Sequence, residues 1–324
     1  MFESPAKLQN SERTGSARLS RRTLTTAALL LGVSLLVPLP SFGRPGWVIM
    51  DLLHVPAFVV LALITGTLFQ ARMRARPVLR IVALWIGISL AGGLFEWLQG
   101  YSGRSANWRD AFANCAGAAA GLLILEARWT GQAAVRWGLY PAGIVIGFVG
   151  ASDSLAQLSD VIRQYRSVPS LSSFETDAEL QRWSLKQQTS ASRTCKQATH
   201  GESSLQIELQ PDDYSGVDLR WPWPRWSEFE EFKFDVRLDQ GQPLELTVKV
   251  FDREHTRRGF PHADRFHKTV VLSPGWQTVS IPLEQIRQAP SGRVMNLREI
   301  AGVEFFVREL GAERTLHLDH LRLR

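Results

Sequence analysis

The arrangement of apolar and polar positions divides the chain into two halves. Residues 24–151 are strongly apolar, whereas residues 174–324 contain short runs in which apolar and polar side chains alternate. Apolar runs of about 20 residues are typical of helices that cross a membrane, and alternation with a period of two is typical of half-buried strands. The pattern predicts an α-helical transmembrane bundle followed by an antiparallel β-sandwich with a jelly-roll-like layout.

Five apolar runs predict about five membrane-spanning helices. A basic tail, residues 1–23, precedes them. The first run lacks a small-x-small cleavage site after it, and further apolar runs follow, so a span is favoured over a cleaved signal peptide. The fifth run is the least apolar of the set. The predicted spans are residues 24–42, 47–69, 78–98, 108–125 and 135–151.

Basic residues predict the orientation of the bundle. Lysine and arginine number 11 in segments 1–23, 71–80 and 126–137, against 3 in the loops on the other side. Because basic residues stay in the cytoplasm, we expect a cytoplasmic N-terminus and an extracytoplasmic C-terminal domain, in a bacterial inner membrane. The net charge of +6 has its origin in these flanking residues, so a nucleic-acid partner is not predicted.

The cysteines exclude a disulfide framework. Cys115 lies within an apolar run and Cys195 lies in the polar half, so the two are not expected to meet. No cysteine cluster suggests zinc, and a single membrane histidine beside carboxylates is thin support for a metal. The sequence therefore predicts neither a metal nor a cofactor.

Polar residues gather at the ends of three predicted spans, all on the expected outer side. Polar side chains within spans are costly and need a structural or functional reason. Residues three or four apart share a helix face, so several of them should converge. The candidate cluster comprises Asp51, His54, Glu96, Gln99, Arg104, Asp110 and Asn114.

Three interpretations of this cluster stay open. It could be a hydrogen-bonded polar knot, with Arg104 paired to Glu96 or Asp110. It could bind an amphiphilic envelope molecule such as a lipid-linked glycan, with Arg104 holding a phosphate or carboxylate. It could catalyse a reaction on such a molecule, with His54 and a carboxylate exchanging protons.

Motifs in the first half resemble the VanZ-like family over residues 24–126. They are DLLH at 51–54, EWLQ at 96–99, GRS at 103–105 and DAFANCAG at 110–117. Leu52 stands where the family often has a lysine, so any role of that lysine is missing. The family is named for low-level resistance to a glycopeptide antibiotic. The resemblance implies association with the cell envelope and no defined reaction.

The second half is similar to jelly-roll carbohydrate-binding modules and galactose-binding-like domains over most of residues 174–324. The similarity rests on FE at 174–175, GESSL at 201–205, GWQTVSIPL at 275–283 and LDHLRL at 318–323. A small, polar segment precedes it, so residues 153–173 are predicted to be an extended linker. The resemblance implies the sandwich fold more than a function, because such sandwiches have many roles.

Two groups of residues in the second half are candidates for glycan binding. Aromatic rings stack on sugars, although large aromatics in a small sandwich more often pack in its core. The aromatic group comprises Tyr214, Trp221, Trp223 and Trp226. The other group reads first as a solvated loop between strands and second as a ligand loop. It comprises Asp252, Arg253, Glu254, His255, Arg257, Arg258, His262 and His267.

The leading interpretation is an envelope protein that anchors a carbohydrate-binding-like domain for cell-wall or exopolysaccharide recognition. Expected partners are membrane lipid and a glycan or lipid-linked glycan. No nucleophile elbow or phosphate loop is present, so an enzyme is the less favoured reading. The alternatives are a membrane enzyme acting at the outer cluster and a scaffold that docks proteins through the sandwich.

Overall fold

The computed structural model describes residues 20–36, 43–70, 76–101 and 108–324, and only the backbone of residues 31–36 and 99–101. The chain forms two compact units that divide after Leu155. The first unit is helical, and the second, Ala156–Arg324, is built mainly of strands. The predicted order of a helical bundle followed by antiparallel sheets is therefore confirmed.

The described residues of the first half form five helices, four of which are long and apolar enough to cross a membrane. The four match the predicted second to fifth spans. The first helix has 16 residues and a length of about 24 Å, and the remainder of the first apolar run lies outside the described residues. The helices are α1 (Arg21–Leu36), α2 (Gly43–Phe69), α3 (Pro77–Tyr101), α4 (Trp108–Trp129) and α5 (Ala133–Ser167).

Glycines allow α2 and α4 to approach closely. A Cβ added to Gly117 would lie 2.6 Å from the carbonyl oxygen of Val55, and one added to Gly121 would lie 2.6 Å from that of Val59. Small residues spaced four apart let transmembrane helices pack backbone against backbone. Gly117 and Gly121 have this spacing, so α4 packs directly against the backbone of α2.

A buried ion pair joins α3 and α4 at the end of the bundle opposite the predicted cluster. Arg80, which is only 4% exposed, bonds to Glu126, and its guanidinium lies 5.1 Å from the ring centre of Trp129. The sequence pattern suggested an exposed orientation signal at Arg80 and no polar cluster at this end. The pairing was missed because Glu126 is 46 positions away in the chain.

The second unit is a sandwich of two antiparallel sheets. The first sheet has the order β3-β4-β11-β6-β9, with β1 also paired to β11, and the second has the order β2-β5-β10-β7-β8. The strands are β1 (Ser170–Ser172), β2 (Trp183–Lys186), β3 (Ser190–Thr194), β4 (Ser204–Leu209), β5 (Tyr214–Leu219), β6 (Glu231–Leu238), β7 (Leu244–Asp252), β8 (Phe266–Leu272), β9 (Gly275–Pro282), β10 (Ile300–Arg308) and β11 (Arg314–Leu323). Three short helices interrupt them: α6 (Asp177–Leu180), α7 (Arg253–Arg257) and α8 (Leu283–Gln288).

The core of the sandwich follows the alternation seen in the sequence. On β7, Leu244, Leu246, Val248 and Val250 are buried in the core, and the intervening side chains point to the outer face of the second sheet. The clearest alternating runs of the sequence lie within strands β4, β6, β7, β9, β10 and β11: they are residues 205–209, 232–236, 244–250, 279–281, 303–307 and 316–319. Strands β2, β3 and β5 carry few consecutive alternating apolar residues, so the pattern did not predict them.

The predicted linker is wrong for residues 153–167, which continue α5 as regular helix. The segment bears Asp160, Val161 and Gln164 on one buried face, at the three- and four-residue spacing of a helix. Asp160 accepts two hydrogen bonds from the guanidinium of Arg182, at 2.8 Å from Nε and 2.5 Å from Nη2. Gln164 Nε2 donates to the carbonyl oxygen of Trp221 at 2.6 Å. The end of α5 is therefore part of the sandwich unit.

These contacts predict where the sandwich unit can be cut from the chain. A fragment of residues 156–324 keeps Asp160, whereas residues 165–324 leave Arg182, 2% exposed, without its carboxylate partner. Removing one partner of a buried pair costs about 3–5 kcal/mol. We expect both fragments to give β-type circular dichroism, with the shorter one less stable by about that amount in urea unfolding.

Two variants separate the ion pair from a general effect of shortening. Asp160→Asn in the longer fragment should reproduce most of the loss. Arg182→Met in the shorter fragment should recover part of it, because the buried charge is removed. Equal stability of the two parent fragments would contradict this role of Asp160.

Candidate functional site

Three helices bring a chain of polar side chains together in the first unit. Asn114 on α4 lies between His54 on α2 and Glu96 on α3. Its Oδ1 is 2.9 Å from His54 Nδ1, and its Nδ2 donates to Glu96 Oε1 at 3.2 Å. His54, Glu96 and Asn114 are all buried. The predicted convergence of these three residues agrees with the geometry.

Asp51 and Asp110 lie beside these three hydrogen-bonded residues. One ring nitrogen of His54 and one carboxylate oxygen of each aspartate lie within 4.8 Å of one another. The neighbouring Arg109 directs Nη1 to Asp153 Oδ2 on α5, at 3.3 Å. Of the other predicted members, Arg104 lies outside the described residues, and the side chain of Gln99 is not described.

The polar chain fixes the tautomer of His54. A carboxylate oxygen accepts a hydrogen bond from an amide N–H, so the contact with Glu96 places the Nδ2 group of Asn114 towards α3. Asn114 Oδ1 then faces His54 and accepts a hydrogen bond from a proton-bearing Nδ1. In the neutral ring this tautomer places the lone pair on Nε2, which is then the nitrogen that can bind a metal.

The four predicted aromatic residues of the sandwich do not form one surface. Trp226 is wholly buried in the core, so its ring cannot stack on a sugar, and its Nε1 donates to the carbonyl oxygen of Trp223 at 2.6 Å. Trp223 contacts Tyr165 of α5 edge to face, with ring centres 5.0 Å apart. Trp221 is half-buried near the same segment. The core-packing alternative is correct for Trp226.

The predicted solvated loop after β7 contains a buried ionic cluster. Asp252, wholly buried, caps α7 by accepting from the backbone N–H of His255 at 3.1 Å. Arg293 donates to both carboxylate oxygens of Asp252, at 2.7 and 2.8 Å, and also bonds to Asp264. These side chains therefore hold the loop in place, and the solvated reading is wrong for Asp252 and His255.

A groove of about 660 Å³ lies on the outer face of the second sheet. Its floor is aromatic, because the ring of Tyr214 stacks against Phe306 with centres 4.3 Å apart and planes inclined by 31°. His262 and His267 form one wall, with ring centres 5.1 Å apart. The lining residues are Tyr214, Glu245, Thr247, His262, Arg265, His267, Thr269, Phe306, Arg308 and Glu309.

A row of polar side chains crosses the same face beside the groove. Strand register places Ser184, Asp218, Glu304, Lys249 and His267 opposite one another on the five successive strands. Outward polar residues aligned in this way interact across the strands. The groove thus has an apolar floor and a charged border.

Glu304 is the centre of the row. Its carboxylate accepts from Lys249 Nζ at 2.9 Å, from Lys186 Nζ at 3.1 Å and from the Tyr214 hydroxyl at 3.0 Å. Burial alone would raise the pKa of Glu304, but its hydrogen bond and ion pair with Lys249, assisted by Lys186, hold the pKa below its ordinary value. Burial and the charge of Glu304 raise the pKa of Tyr214, so the hydroxyl remains a neutral donor.

Asp218 has the opposite environment to Glu304. Burial, followed by the charge of Glu304, raises the pKa of Asp218 above its ordinary value. Its Oδ1 is buried and has no hydrogen-bond partner among the described residues, while Oδ2 accepts from the Ser184 hydroxyl at 3.3 Å. The pKa values of these two neighbouring carboxyl groups are therefore shifted in opposite directions, upward for Asp218 and downward for Glu304.

The sequence indicated only part of this face. Tyr214, His262 and His267 were candidates, but in two separate groups. Glu304 and Phe306 were missed, although their two-residue spacing in the run VEFFV indicates a shared outward face. Lys249 was visible as an outward position of β7, yet no local signal pairs it with a residue 55 positions away.

Comparisons with known proteins add structural neighbours only. No family model matches the chain, and no curated protein matches it. A family 11 carbohydrate-binding module from Clostridium thermocellum, in complex with a β-1,3-1,4-mixed-linked tetrasaccharide, is similar over 48% of this chain and 94% of its own, with 15% identity and a TM-score of 0.37. An exo-β-agarase is similar over 48% of this chain and 24% of its own, with 17% identity and a TM-score of 0.39.

A xylan-binding domain of family 22 from Paenibacillus barcinonensis is a third neighbour. The similarity covers 48% of this chain and 91% of that domain, with 18% identity and a TM-score of 0.32. The strand order and register of this chain establish its sandwich independently of these neighbours.

The raised pKa of Asp218 predicts a pH-dependent effect of its replacement. A carboxyl group with a raised folded-state pKa binds its proton more tightly in the fold, so its ionisation destabilises the fold as the pH rises. Asp218→Asn removes that penalty. We expect the variant to melt at a higher temperature than the parent at pH 7, by about 2 °C or more, with the gain shrinking as the pH falls through the raised pKa of Asp218 and largely lost at about pH 4, the ordinary pKa of an aspartate.

Asp213→Asn is the matched control, since Asp213 is exposed beside the start of the same strand. Its melting temperature should equal that of the parent both at pH 7 and at about pH 4. If Asp218→Asn instead lowers the melting temperature at pH 7, the ionised carboxylate is stabilising and the assignment is wrong.

Proposed function

We propose that this protein is a membrane-anchored glycan-binding protein that holds a sugar chain in the groove on the outer face of its second sheet. The observation that carries the proposal is the aromatic floor of Tyr214 and Phe306 within a groove bordered by hydrogen-bonding side chains. Small-ligand sites combine an apolar surface with a few well-placed polar groups, and typical volumes are about 300–1,000 Å³.

The aromatic floor suits one face of a sugar ring. Tyr214 is half-buried, so part of its ring faces the groove while the rest is supported by Phe306. The hydrogen bond to Glu304 and the Lys186 ammonium, 5.5 Å from the ring centre, fix the ring orientation. A fixed ring loses little conformational entropy when a ligand stacks on it.

The polar border suits sugar hydroxyls. The hydroxyls of Thr247 and Thr269, 3.1 Å apart, lie on adjacent strands in the groove, and Arg265, His267 and Glu245 stand around them. Hydroxyl, imidazole, guanidinium and carboxylate groups supply both donors and acceptors. Neutral glycans need such mixed pairing, and the charges of Glu245 and Glu309 are balanced in the lining by those of Arg265 and Arg308.

The membrane half supports a location in the cell envelope. Helices α2–α5 are long and apolar enough to span, and the 11-to-3 distribution of basic residues favours a cytoplasmic N-terminus. With five spans the sandwich is extracytoplasmic, in a bacterial inner membrane, where cell-wall and exopolysaccharide chains pass. The VanZ-like motifs of the bundle are in keeping with that setting.

Replacing Tyr214 tests the binding groove. Tyr214→Ala should weaken binding of a responsive glycan about two- to tenfold, because an aromatic contact is worth about 0.5–1.5 kcal/mol. Binding is measured by calorimetry on the full chain in detergent, using mixed-linkage β-glucan, xylan, agarose oligosaccharides and peptidoglycan fragments.

Two matched variants make the result specific. Tyr214→Phe keeps the ring and should retain most of the affinity. Trp276→Ala removes an aromatic residue from the opposite sheet and should leave the affinity unchanged. If no glycan of the panel binds, or if Trp276→Ala has the larger effect, the groove is not the glycan site and a protein-docking scaffold is favoured.

Reporter fusions test the orientation. An alkaline phosphatase fused after Arg324 should be active, because the enzyme folds only outside the cytoplasm, and one fused after Arg76, between α2 and α3, should be inactive. A cytoplasmic reporter at the same two positions should give the reverse pattern. Cytoplasmic activity after Arg324 would mean an even number of crossings and would place the sandwich inside the cell.

A further inference from the structure

We propose that Asp51, His54 and Asp110 bind one divalent transition-metal ion at one end of the helical unit, and that Asn114 and Glu96 position the His54 ring for it. The proposal is independent of glycan binding by the sandwich. It reverses the expectation from the sequence, in which a single histidine was too little to suggest a metal.

The first support is the convergence of three ligand atoms. One nitrogen of His54 and one oxygen each of Asp51 and Asp110 lie within 4.8 Å of one another. Ligands bound to Zn²⁺ at about 2.0–2.2 Å are at most about 4.4 Å apart, so small rotations of the two carboxylates are enough to close the site. Asp51 and His54 stand three residues apart on α2 and therefore share one face.

The second support is the burial and the hydrogen bonding of His54. His54 is 5% exposed, and its Nδ1 proton is engaged by Asn114 Oδ1 at 2.9 Å. This tautomer carries its lone pair on Nε2, on the side of the ring away from Asn114. A nearly buried imidazole whose other nitrogen is held by a hydrogen bond in this way has the arrangement in which histidine binds metal ions.

The third support is the pair of residues behind the ring. Metal-bound histidines donate their other N–H to a carbonyl or carboxylate oxygen, which fixes the tautomer and raises the basicity of the ring. Here Asn114 supplies the carbonyl oxygen, and Glu96 holds the amide from the far side at 3.2 Å. Glu96 and Asn114 thus stand behind His54 in the arrangement that orients a metal-binding histidine.

The helix contacts make the site rigid. Gly117 and Gly121 hold α4 against the backbone of α2 one to two turns below Asn114, and a Cβ on Gly92 of α3 would contact Phe58 at 2.9 Å and Asn114 Cβ at 3.3 Å. Ligands on closely packed helices are held more precisely than ligands on loops. The three helices therefore cannot separate without losing these contacts.

The ligand set selects the kind of ion. Imidazole favours Zn²⁺ and Fe²⁺ over Mg²⁺, whereas carboxylates also suit Mn²⁺ and supply the negative charge that a dication needs. Three protein ligands leave at least one coordination position open. An open position beside a membrane surface is suited to a water molecule or to an anionic oxygen of an amphiphilic molecule.

The test uses the full chain in detergent after treatment with a chelator. Zn²⁺ and Mn²⁺ are added separately, with Mg²⁺ as comparison, and bound metal per chain is measured by mass spectrometry after desalting. We expect about one equivalent of Zn²⁺ or Mn²⁺, a rise in melting temperature of several degrees, and no retention of Mg²⁺. Absence of a retained transition metal in the parent protein would overturn the proposal.

Variants distinguish this site from surface histidines. His54→Ala and Asp51→Asn should each abolish retention of the metal and the thermal shift. His200→Ala combined with His262→Ala removes two histidine pairs of the sandwich and should leave one equivalent bound. Retention in both bundle variants, or loss only in the sandwich variant, would refute the assignment.

Asn114→Ala tests the positioning role, with an expected loss of 10–100-fold in metal affinity at unchanged stoichiometry. The melting temperature of each metal-free variant shows whether it is folded. If His54→Ala fails to fold, His54→Gln keeps a polar group of similar length and should fold without binding metal. Unchanged affinity in Asn114→Ala would remove the positioning role of Asn114.

Discussion

Both units depend on the rule that a charge removed from water must find its partner inside the protein. In the helical unit, Arg80 is paired with Glu126 at one end, and Asn114 links His54 to Glu96 towards the other. In the sandwich, Arg182 pairs with Asp160, and Glu304 collects two lysines. A buried group left without such a partner costs several kcal/mol, so each pair fixes the relative positions of the elements that carry it.

Close packing of backbones makes the polar contacts of the bundle possible. Between helices in a membrane no hydrophobic effect drives association, so contact between small residues and buried hydrogen bonds must supply it. Gly117 and Gly121 bring α4 to α2 at the level where Asn114 can reach His54. A larger residue at either glycine would meet a carbonyl oxygen of α2, and the polar chain would be separated as well.

The sequence predicted the elements better than the contacts between them. Four apolar runs became the long helices and the alternating runs became strands, because each pattern is local and repeats over many residues. The end of α5 was predicted to be a linker, because its buried face is carried by Asp160 and Gln164, whose polar nature suggests solvent. Their burial is explained only by Arg182 and the Trp221 carbonyl, which are distant in sequence.

The candidate site residues were likewise predicted correctly where a local pattern places them and incorrectly where long-range contacts decide. His54, Glu96 and Asn114 were predicted to converge because helix periodicity and orientation place them at one level. The four aromatic residues of the sandwich were grouped by proximity in sequence, yet Trp226 enters the core and Tyr214 lies on the outer face of the second sheet. Strand register decides which outward residues are neighbours, and register is set by long-range pairing that no short segment reveals.

The residues that made the second half resemble a carbohydrate-binding module are mainly structural. Glu175 accepts from the backbone N–H groups of Glu202 and Ser203, and Gly201 has a φ of +68° with Glu175 in the space of a Cβ. Asp319 accepts from the backbone N–H groups of Thr199 and His200 at 2.7 and 2.9 Å. These contacts hold one loop on the first sheet, so they specify the fold.

Under the proposed function, specificity for a glycan must come from outward-facing residues, which the core of the sandwich does not constrain. On the outer face of the second sheet, the core requires only that alternate positions be apolar, and Tyr214, Glu304, Phe306 and Lys249 occupy the remaining positions. Glu304 is satisfied by three donors from three different strands, a degree of organisation that sheet stability alone does not require. The hydrogen bond from Tyr214 to Glu304 holds the Tyr214 ring over Phe306, so the aromatic floor of the groove depends on the same ionic network that joins the strands.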